Sequence, residues 1–418
     1  MWGPERQSEI FIDGLSGARP RVPVEEHELE QRAIAAMRPE AAAYVTGGAG
    51  RESTMEANRH AFGRWQIVPR VLRNVEQRDL SVELFGRRLP SPLLLAPIGV
   101  LELVHHEADR AVARAAAAEG IPMVFSNQAS VPMEECARLL GDTPRFFQLY
   151  WSRSDALVQS FLARAESCGC TGIMLTLDTT MLGWRPRDLD LGYLPFMRGM
   201  GIAQYTSDPV FRQEVGLPLP ATTSTPRVTL RTLRAGFELM RRTPGSLVDN
   251  LRSGWPRQAV RRFVATYSRP SLEWADLERL RRMTRLPIIL KGVLHPDDAR
   301  LAVEHGMDGI VVSTHGGRQV DGAIGSLDAL PAVAQAVAGR MPILFDSGVR
   351  GGADVFKALA LGAAAVMIGR PYVYGLALAG ERGVREVLRN IRGELDLTMG
   401  LAGCTATATV TREALRAV

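Results

Sequence analysis

Lysine is nearly missing from this chain. Of 50 Lys and Arg residues among 418, only Lys291 and Lys357 are lysine. Arginine serves wherever a plain surface cation would do. A retained lysine therefore marks a place where a compact ammonium does something a planar guanidinium cannot. Cysteine is scarce as well. Cys136, Cys168, Cys170 and Cys404 have the spacing of neither a zinc site nor a disulfide framework. Reduced thiols in a cytoplasmic protein are expected, and no metal site. No apolar run approaches the ~18 residues of a membrane-spanning helix. The opening MWGPERQSEIFIDG has no apolar core of the signal-peptide kind, so no secretory signal is expected. Nor is charge strongly one-sided. The formal net charge is +5, which by itself gives no reason to expect nucleic acid.

What is present is ordinary globular material, 46% hydrophobic and 23% charged. The length suits two medium domains or one α/β barrel with additions. From residue 91 onward, short apolar runs alternate with helical patterns. The runs are SPLLLAPIG (91–99), IPMVFSN (121–127), RFFQLYW (145–151), GIMLTLD (172–178), LPIILKG (286–292), GIVVSTHGG (309–317), MPILFDSG (341–348) and AAVMIGR (364–370). They are almost continuously apolar, as strands of a parallel sheet covered on both faces must be. Between them, HPDDARLAVEHG reads as a helix with Pro296 at its start, acidic residues in its first turn and Gly306 after its end.

This alternation predicts a (β/α)8 TIM barrel, with a doubly wound sheet as the alternative. The runs end in Gly99, Ser126, Tyr150, Asp178, Lys291, His315, Asp346 and Arg370. A barrel brings all such ends to one face, whereas an open sheet strings them along an edge. Residues 1–90 are expected as an N-terminal helical extension packed on the barrel of 91–418. Residues 186–270 are expected as a lid-like insertion after strand 4.

The chemistry concentrates in STHGGRQVD (313–321). A histidine suits a general base, and an arginine offers a planar fork of donors to a carboxylate. His315 and Arg318 stand three apart with two glycines between them. Alone, His315 reads better as a hydrogen-bonded turn residue. Asp178, at another strand end, adds a carboxylate able to orient an imidazole. Alone, it reads as a helix cap.

Together these motifs resemble the FMN-dependent α-hydroxy acid oxidase and dehydrogenase family. Its histidine motif, Ser-Asn-His-Gly-(Ala/Gly)-Arg-Gln, stands here as Ser-Thr-His-Gly-Gly-Arg-Gln. RDLSVELFG, LLAPIGV, GWRPRDL, DPVF, HPDDARLAV and LFDSG look most like the lactate 2-monooxygenase subfamily. The resemblance implies FMN as cofactor and a 2-hydroxy acid as substrate. It also implies a homotetramer or larger assembly. His315 matches the base, Asp178 its carboxylate partner, and Tyr150 the tyrosine near the substrate hydroxyl. Arg318, Arg185 and Tyr44 match the residues on the substrate carboxylate. Lys291 matches the lysine beside flavin N1 and C2=O, where a fixed ammonium stabilises the anionic reduced ring. Pro97, Ile98, Gly99, Ser126, Gln148, Thr176 and Ser313 match contacts to the ring. Asp346, Gly348, Arg350, Gly369 and Arg370 match the ribityl and phosphate site, where a helix N-terminus and arginines favour a dianion.

Three outcomes stay open within the resemblance. They are a monooxygenase that decarboxylates its oxo acid, an oxidase releasing H2O2, and a dehydrogenase with another acceptor. A catalytically silent flavin scaffold is the reading from another class, and the intact His315, Asp178, Arg318 and Lys291 argue against it. The sequence departs from the family pattern at Gln128, where relatives such as glycolate oxidase have a large aromatic. It also departs at Thr314, His106 and Pro132. Gln128 is therefore expected to line the substrate pocket and to alter its polarity or shape, and Gly99 to leave room above the ring. The arginines of 227–262 read as a solvated helical lid. Contact with an anionic partner or a membrane surface is the lesser alternative.

Overall fold

The computed structural model describes residues 2–219 and 227–418. Residues 220–226, part of the expected insertion, lie outside the described residues. Each of the eight apolar runs contains a strand: β1 (Leu93–Leu95), β2 (Met123–Phe125), β3 (Arg145–Leu149), β4 (Gly172–Thr176), β5 (Ile288–Lys291), β6 (Gly309–Val312), β7 (Ile343–Phe345) and β8 (Ala365–Ile368). All neighbours pair in parallel, and β8 closes on β1 through Val366–Leu93, Met367–Leu94 and Ile368–Leu95. Closure decides for the (β/α)8 barrel over the doubly wound sheet.

The alternation of side chains along a strand sorts the barrel interior into levels. Leu94, Val124, Phe146, Met174, Ile289, Val311 and Leu344 form one apolar cluster inside the barrel. The hairpin of Val82–Leu84 and Arg87–Leu89 adds Leu84 and Leu89 to that cluster, so it plugs one end. Phe85 at its tip meets Phe146 edge to face, with ring centroids 5.7 Å apart. Two residues further along the same strands stand Ala96, Ser126, Gln148, Thr176, Lys291, Ser313 and Asp346. Strand periodicity alone thus lays a polar level over an apolar plug.

The segment before the barrel contributes the helices Glu26–Ala36, Pro39–Thr46 and Ser53–Gly63. Its strand Trp65–Ile67 pairs antiparallel with the C-terminal Leu415–Ala417. Asn58 is buried; it donates to Thr314 Oγ1 at 2.8 Å and accepts from Ser326 N at 2.9 Å. The region before the barrel is thereby bonded into the turn that carries His315.

Between β4 and β5 the described part of the insertion is helical, with Leu230–Arg242, Leu247–Ser253 and Trp255–Thr266 as its longest pieces. Thr229 caps the first of these by accepting from Thr232 N. Its arginines are not all solvated. Arg242 pairs with Glu102 at 3.2 Å, Arg234 with Glu238 at 3.3 Å, and Arg262 is buried against the Leu217 carbonyl. Among the described residues, no helix is long and apolar enough to cross a membrane.

Candidate active site

His315 follows β6 in an unusual backbone. His315, Gly316 and Gly317 all have positive φ, at 56°, 65° and 76°. For histidine this conformation is uncommon and costs of order 1–3 kcal/mol, so the surroundings must impose it. They do so with hydroxyls. Ser347 Oγ accepts from Thr314 N at 3.2 Å and from Gly316 N at 3.0 Å, and Ser313 Oγ accepts from His315 N at 3.0 Å. Thr314 Oγ1 accepts from Gly317 N at 3.2 Å and closes the turn.

The ring is held as firmly as the backbone. His315 Nδ1 lies 2.8 Å from Asp178 Oδ1 and 3.2 Å from Thr179 Oγ1, whose hydroxyl itself donates to Asp178 Oδ1 at 2.9 Å. A carboxylate oxygen beside Nδ1 places the hydrogen on Nδ1, which leaves the Nε2 lone pair available to take a proton. Burial pushes the imidazole below its ordinary range, and the opposing pull of Asp178 does not reverse this. Burial tends to raise Asp178, but the attraction of His315 and Lys291 prevails and holds it at about 2. The pair is therefore a neutral imidazole backed by a carboxylate.

Lys291 ends β5 at 3% exposure. Its ammonium donates to Ser313 Oγ at 2.7 Å and pairs with Asp346 Oδ2 at 3.1 Å, with Asp178 Oδ2 at 4.0 Å. Burial disfavours its charge, yet Asp346 and Asp178 outweigh burial and raise its pKa. Lys291 is a fixed cation.

Arg318 and Arg185 form the second feature. Arg318 donates to the carbonyls of Tyr44 and of Gly47, the latter at 3.0 Å, and its guanidinium lies 4.8 Å from the Tyr44 ring centroid. These carbonyls end the helix Pro39–Thr46, where a cation is favoured. Arg185 donates from Nε to the Arg318 carbonyl at 3.2 Å and from Nη2 to Gln319 Oε1 at 3.0 Å. Neither guanidinium forms an ion pair with a carboxylate among the described contacts. Burial, with Arg185 beside it, pulls Arg318 below the ordinary arginine range. Two like charges side by side, Arg185 buried and Arg318 half-buried, favour a bound anion. Oxalate is therefore expected to raise Tm, with about 2.7 kcal/mol of stabilisation at a hundredfold excess over Kd. Scanning calorimetry of wild type and Arg318→Met checks this; an equal shift in the variant would contradict it.

These groups surround one cleft of about 1080 Å³ at the C-terminal ends of the strands. Its lining carries Arg185, Lys291, Arg318, Arg350 and Arg370 against Asp346 alone among carboxylates. The sequence pattern of the FMN-dependent dehydrogenase family matches residues 33–417.

The chain belongs to the FMN-dependent dehydrogenase family.

Curated relatives agree. An FMN-dependent alpha-hydroxy acid dehydrogenase of Penicillium citrinum, qulF, is 40% identical over 413 residues, covering 99% of this chain and 95% of its own. An L-lactate oxidase of Lysinibacillus sphaericus is 42% identical, covering 87% of this chain and 85% of its own. Among solved structures, mandelate oxidase with (S)-4-hydroxymandelic acid matches at 34% identity with a TM-score of 0.78. That match covers 94% of this chain and 98% of the other.

The cleft fits the family's cofactor, FMN. One end offers Arg350 and Arg370 with the backbone of Gly348 and Gly369 for a phosphate, and the polar level with Lys291 lies within. A Cβ added at Gly369 would meet only Ile98 Cδ1, at 3.9 Å, so the backbone there is open to close approach. The donors have competing work, however. Arg370 gives hydrogen bonds to the carbonyls of Val45, Gly316 and Gly47 at 2.9, 2.9 and 3.1 Å. The amides of Gly352 and Ala353, which begin the helix Gly352–Ala360, donate to Glu394. The helix that starts at the cleft is Arg370–Leu401.

Most residues singled out in the sequence line this cleft. Tyr44, Pro97, Ile98, Gly99, Ser126, Gln128, Gln148, Tyr150, Arg185, Lys291, His315, Arg318, Asp346, Gly348, Arg350, Gly369 and Arg370 all do so. Asp178, Thr176 and Ser313 stand behind it. Thr176 accepts from Gln148 Nε2 at 3.2 Å, and Gln148 Oε1 in turn accepts from Ser126 Oγ at 3.2 Å. Three glycines of the site abut protein, which at Gly99 alters the expectation of room above the ring. The pair after His315 clears protein: a Cβ on Gly316 would lie 2.8 Å from Arg370, and one on Gly317 2.8 Å from the Met55 amide. At Gly99, an added Cβ would lie 2.9 Å from Gln128 Cβ and its carbonyl oxygen, so the loop after β2 takes the room.

Sequence reading missed Thr179, Ser347, Asn127 and Gln319, each adjacent to a residue it named. Asn127 is buried; its Oδ1 accepts from Tyr150 N at 3.0 Å and Tyr205 OH at 3.2 Å. Gln319 uses its whole amide. Nε2 donates to the carbonyls of Asp178 at 2.8 Å and Met181 at 2.9 Å, while Oε1 accepts from Gly183 N at 3.3 Å and from Arg185. It fixes the loop that carries Asp178 and Arg185. Gln319→Met strands these groups at about 1–3 kcal/mol. It is expected to lower kcat/KM by about 5- to 150-fold with FMN content unchanged; steady-state kinetics on the holoprotein checks this.

Proposed function

We propose that the protein oxidises an L-2-hydroxy acid to the 2-oxo acid, with O2 taking the electrons. The observation that carries this reading is the proximity of a neutral His315, backed by Asp178, to the paired guanidiniums of Arg318 and Arg185. Bound FMN supplies the two-electron acceptor. The chain's own residues supply binding, orientation and proton transfer.

Arg318 and Arg185 hold the substrate carboxylate, where paired planar donors favour a bidentate fit. Tyr44, stacked on Arg318, completes that site. Tyr150, pushed well above the ordinary phenol range by burial and by Asp178, stays protonated and donates to the substrate hydroxyl oxygen. His315 Nε2 takes the hydroxyl proton. Asp178 then faces an imidazolium and stabilises it. Positioning of this kind contributes several kcal/mol, and the base adds about 10²–10⁴-fold. Since His315 must be neutral and its pKa is lowered, kcat/KM is expected to rise with pH only below 6.5 and to level off above it. An acid limb centred above 6.5 would contradict that assignment.

The motifs shared with lactate 2-monooxygenase extend the proposal one step. A retained 2-oxo acid and H2O2 give the acid shortened by one carbon, CO2 and water. Product analysis after aerobic turnover tests this. The shortened acid and CO2 support it, free H2O2 with the oxo acid reduces the proposal to an oxidase, and turnover only with an added acceptor overturns the role of O2. The family resemblance also supports a homotetramer or larger assembly, which sedimentation of the holoprotein tests.

A further inference from the structure

A second, open concavity adjoins the catalytic cleft between the loop after β4 and the insertion helix Leu230–Arg242. Leu182 and Arg185 line both spaces. Beyond them the wall is apolar, with Leu189, Leu194, Met197, Leu233, Leu239 and Val260. Met197 and Leu233 are 56% and 59% exposed. A contiguous apolar surface of this kind marks a place where something apolar binds.

We propose that this groove receives the tail of the substrate, a 2-hydroxy acid with an alkyl chain several carbons longer than that of lactate. The inference rests on the 2-hydroxy acid reading and adds the class of side chain. Continuity selects this occupant over a second copy of the chain. Arg185 belongs to the carboxylate site and borders the groove, so an acid seated on it has Leu182 next to its substituent and the apolar wall beyond. Arg198, Arg227 and Arg257 also line the groove. Arg198 has its charge met by Glu238 at 3.1 Å, and the stems of such arginines extend apolar cover.

Gly236 lies within this wall, and a Cβ there would meet only Arg257 Nη2, at 3.9 Å. A large side chain at that position fits in the groove's own space. It also replaces a glycine inside a helix, which favours the fold.

The test is anaerobic reduction of the FMN holoprotein by L-2-hydroxy acids of increasing chain length. The apparent Kd is expected to fall about 4-fold for each methylene buried. Gly236→Trp narrows the groove from within its helix wall and Leu233→Gln makes its exposed wall polar. Each is expected to lower the long-chain to short-chain preference by about 10-fold or more. FMN content reports folding of the tryptophan variant, and Leu233 is exposed enough for its exchange to leave folding intact. Equal Kd values at every chain length overturn the proposal, as does a preference untouched by both variants. A groove that pairs two copies instead would change the mass of Leu233→Gln without changing the preference, and also overturns it. If short acids reduce FMN and length has no effect, only the groove proposal fails. If no acid of any length reduces it, the 2-hydroxy acid reading fails as well.

Discussion

His315→Gln is expected to slow FMN reduction by an L-2-hydroxy acid about 10²–10⁴-fold while FMN stays bound. The substitution keeps a polar side chain of similar reach. It removes the Nε2 lone pair that His315 presents once Nδ1 is committed to Asp178 at 2.8 Å. FMN retention follows from the geometry: the phosphate end, with Arg350 and Arg370, and the ammonium of Lys291 do not depend on the imidazole. Asp178→Asn should act on the same step from behind. An amide cannot stabilise the imidazolium as a carboxylate does, so reduction slows although the lining of the cleft is unchanged. Stopped-flow reduction of both variants checks this. Normal reduction in His315→Gln would contradict the assignment of the base.

Lys291→Met is expected to cost about 3–5 kcal/mol of stability, because it leaves buried carboxylates without their cation. Asp346 loses a partner at 3.1 Å, and Asp178 loses one of the two groups whose attraction holds it at about 2. The pH dependence follows. A carboxyl with a lowered folded pKa stabilises the fold above its ordinary value of 3.8, and this contribution is lost as pH falls toward about 2. In Lys291→Met the folded value rises, so acid unfolding begins at higher pH than in wild type. Urea titrations of the two holoproteins at neutral and mildly acidic pH measure both effects. Lys291→Arg tests the retained lysine in an arginine-rich chain: a guanidinium keeps the charge but does not fit between Ser313 and Asp346, so it restores stability only in part.

The fold was legible because a barrel strand is buried on both faces and so reads as an uninterrupted apolar run. The polar level was legible for the same reason. Ser126, Lys291 and Asp346 are polar residues that end such runs, and strand periodicity turns them inward. What stayed hidden are roles set by partners distant in sequence. Gln319 looks like any loop glutamine until Asp178, 141 residues earlier, is seen to accept from it. Ser347 looks like a turn serine until the amides of Thr314 and Gly316 are found on its hydroxyl. Thr314, the odd letter of its motif, is explained by Asn58, 256 residues away. The glycines after His315 follow the same rule: Met55 and Arg370, which leave no room for a Cβ there, lie far along the chain.

The central claim is that His315 with Asp178, set beside Arg318 and Arg185, makes this an enzyme that oxidises a 2-hydroxy acid. Anaerobic titration of the yellow holoprotein with a panel of L-2-hydroxy acids tests it most directly. The account predicts that at least one acid bleaches the flavin, with one 2-oxo acid formed per flavin reduced. A flavin that no acid bleaches, yet that a chemical reductant such as dithionite bleaches fully, would contradict it.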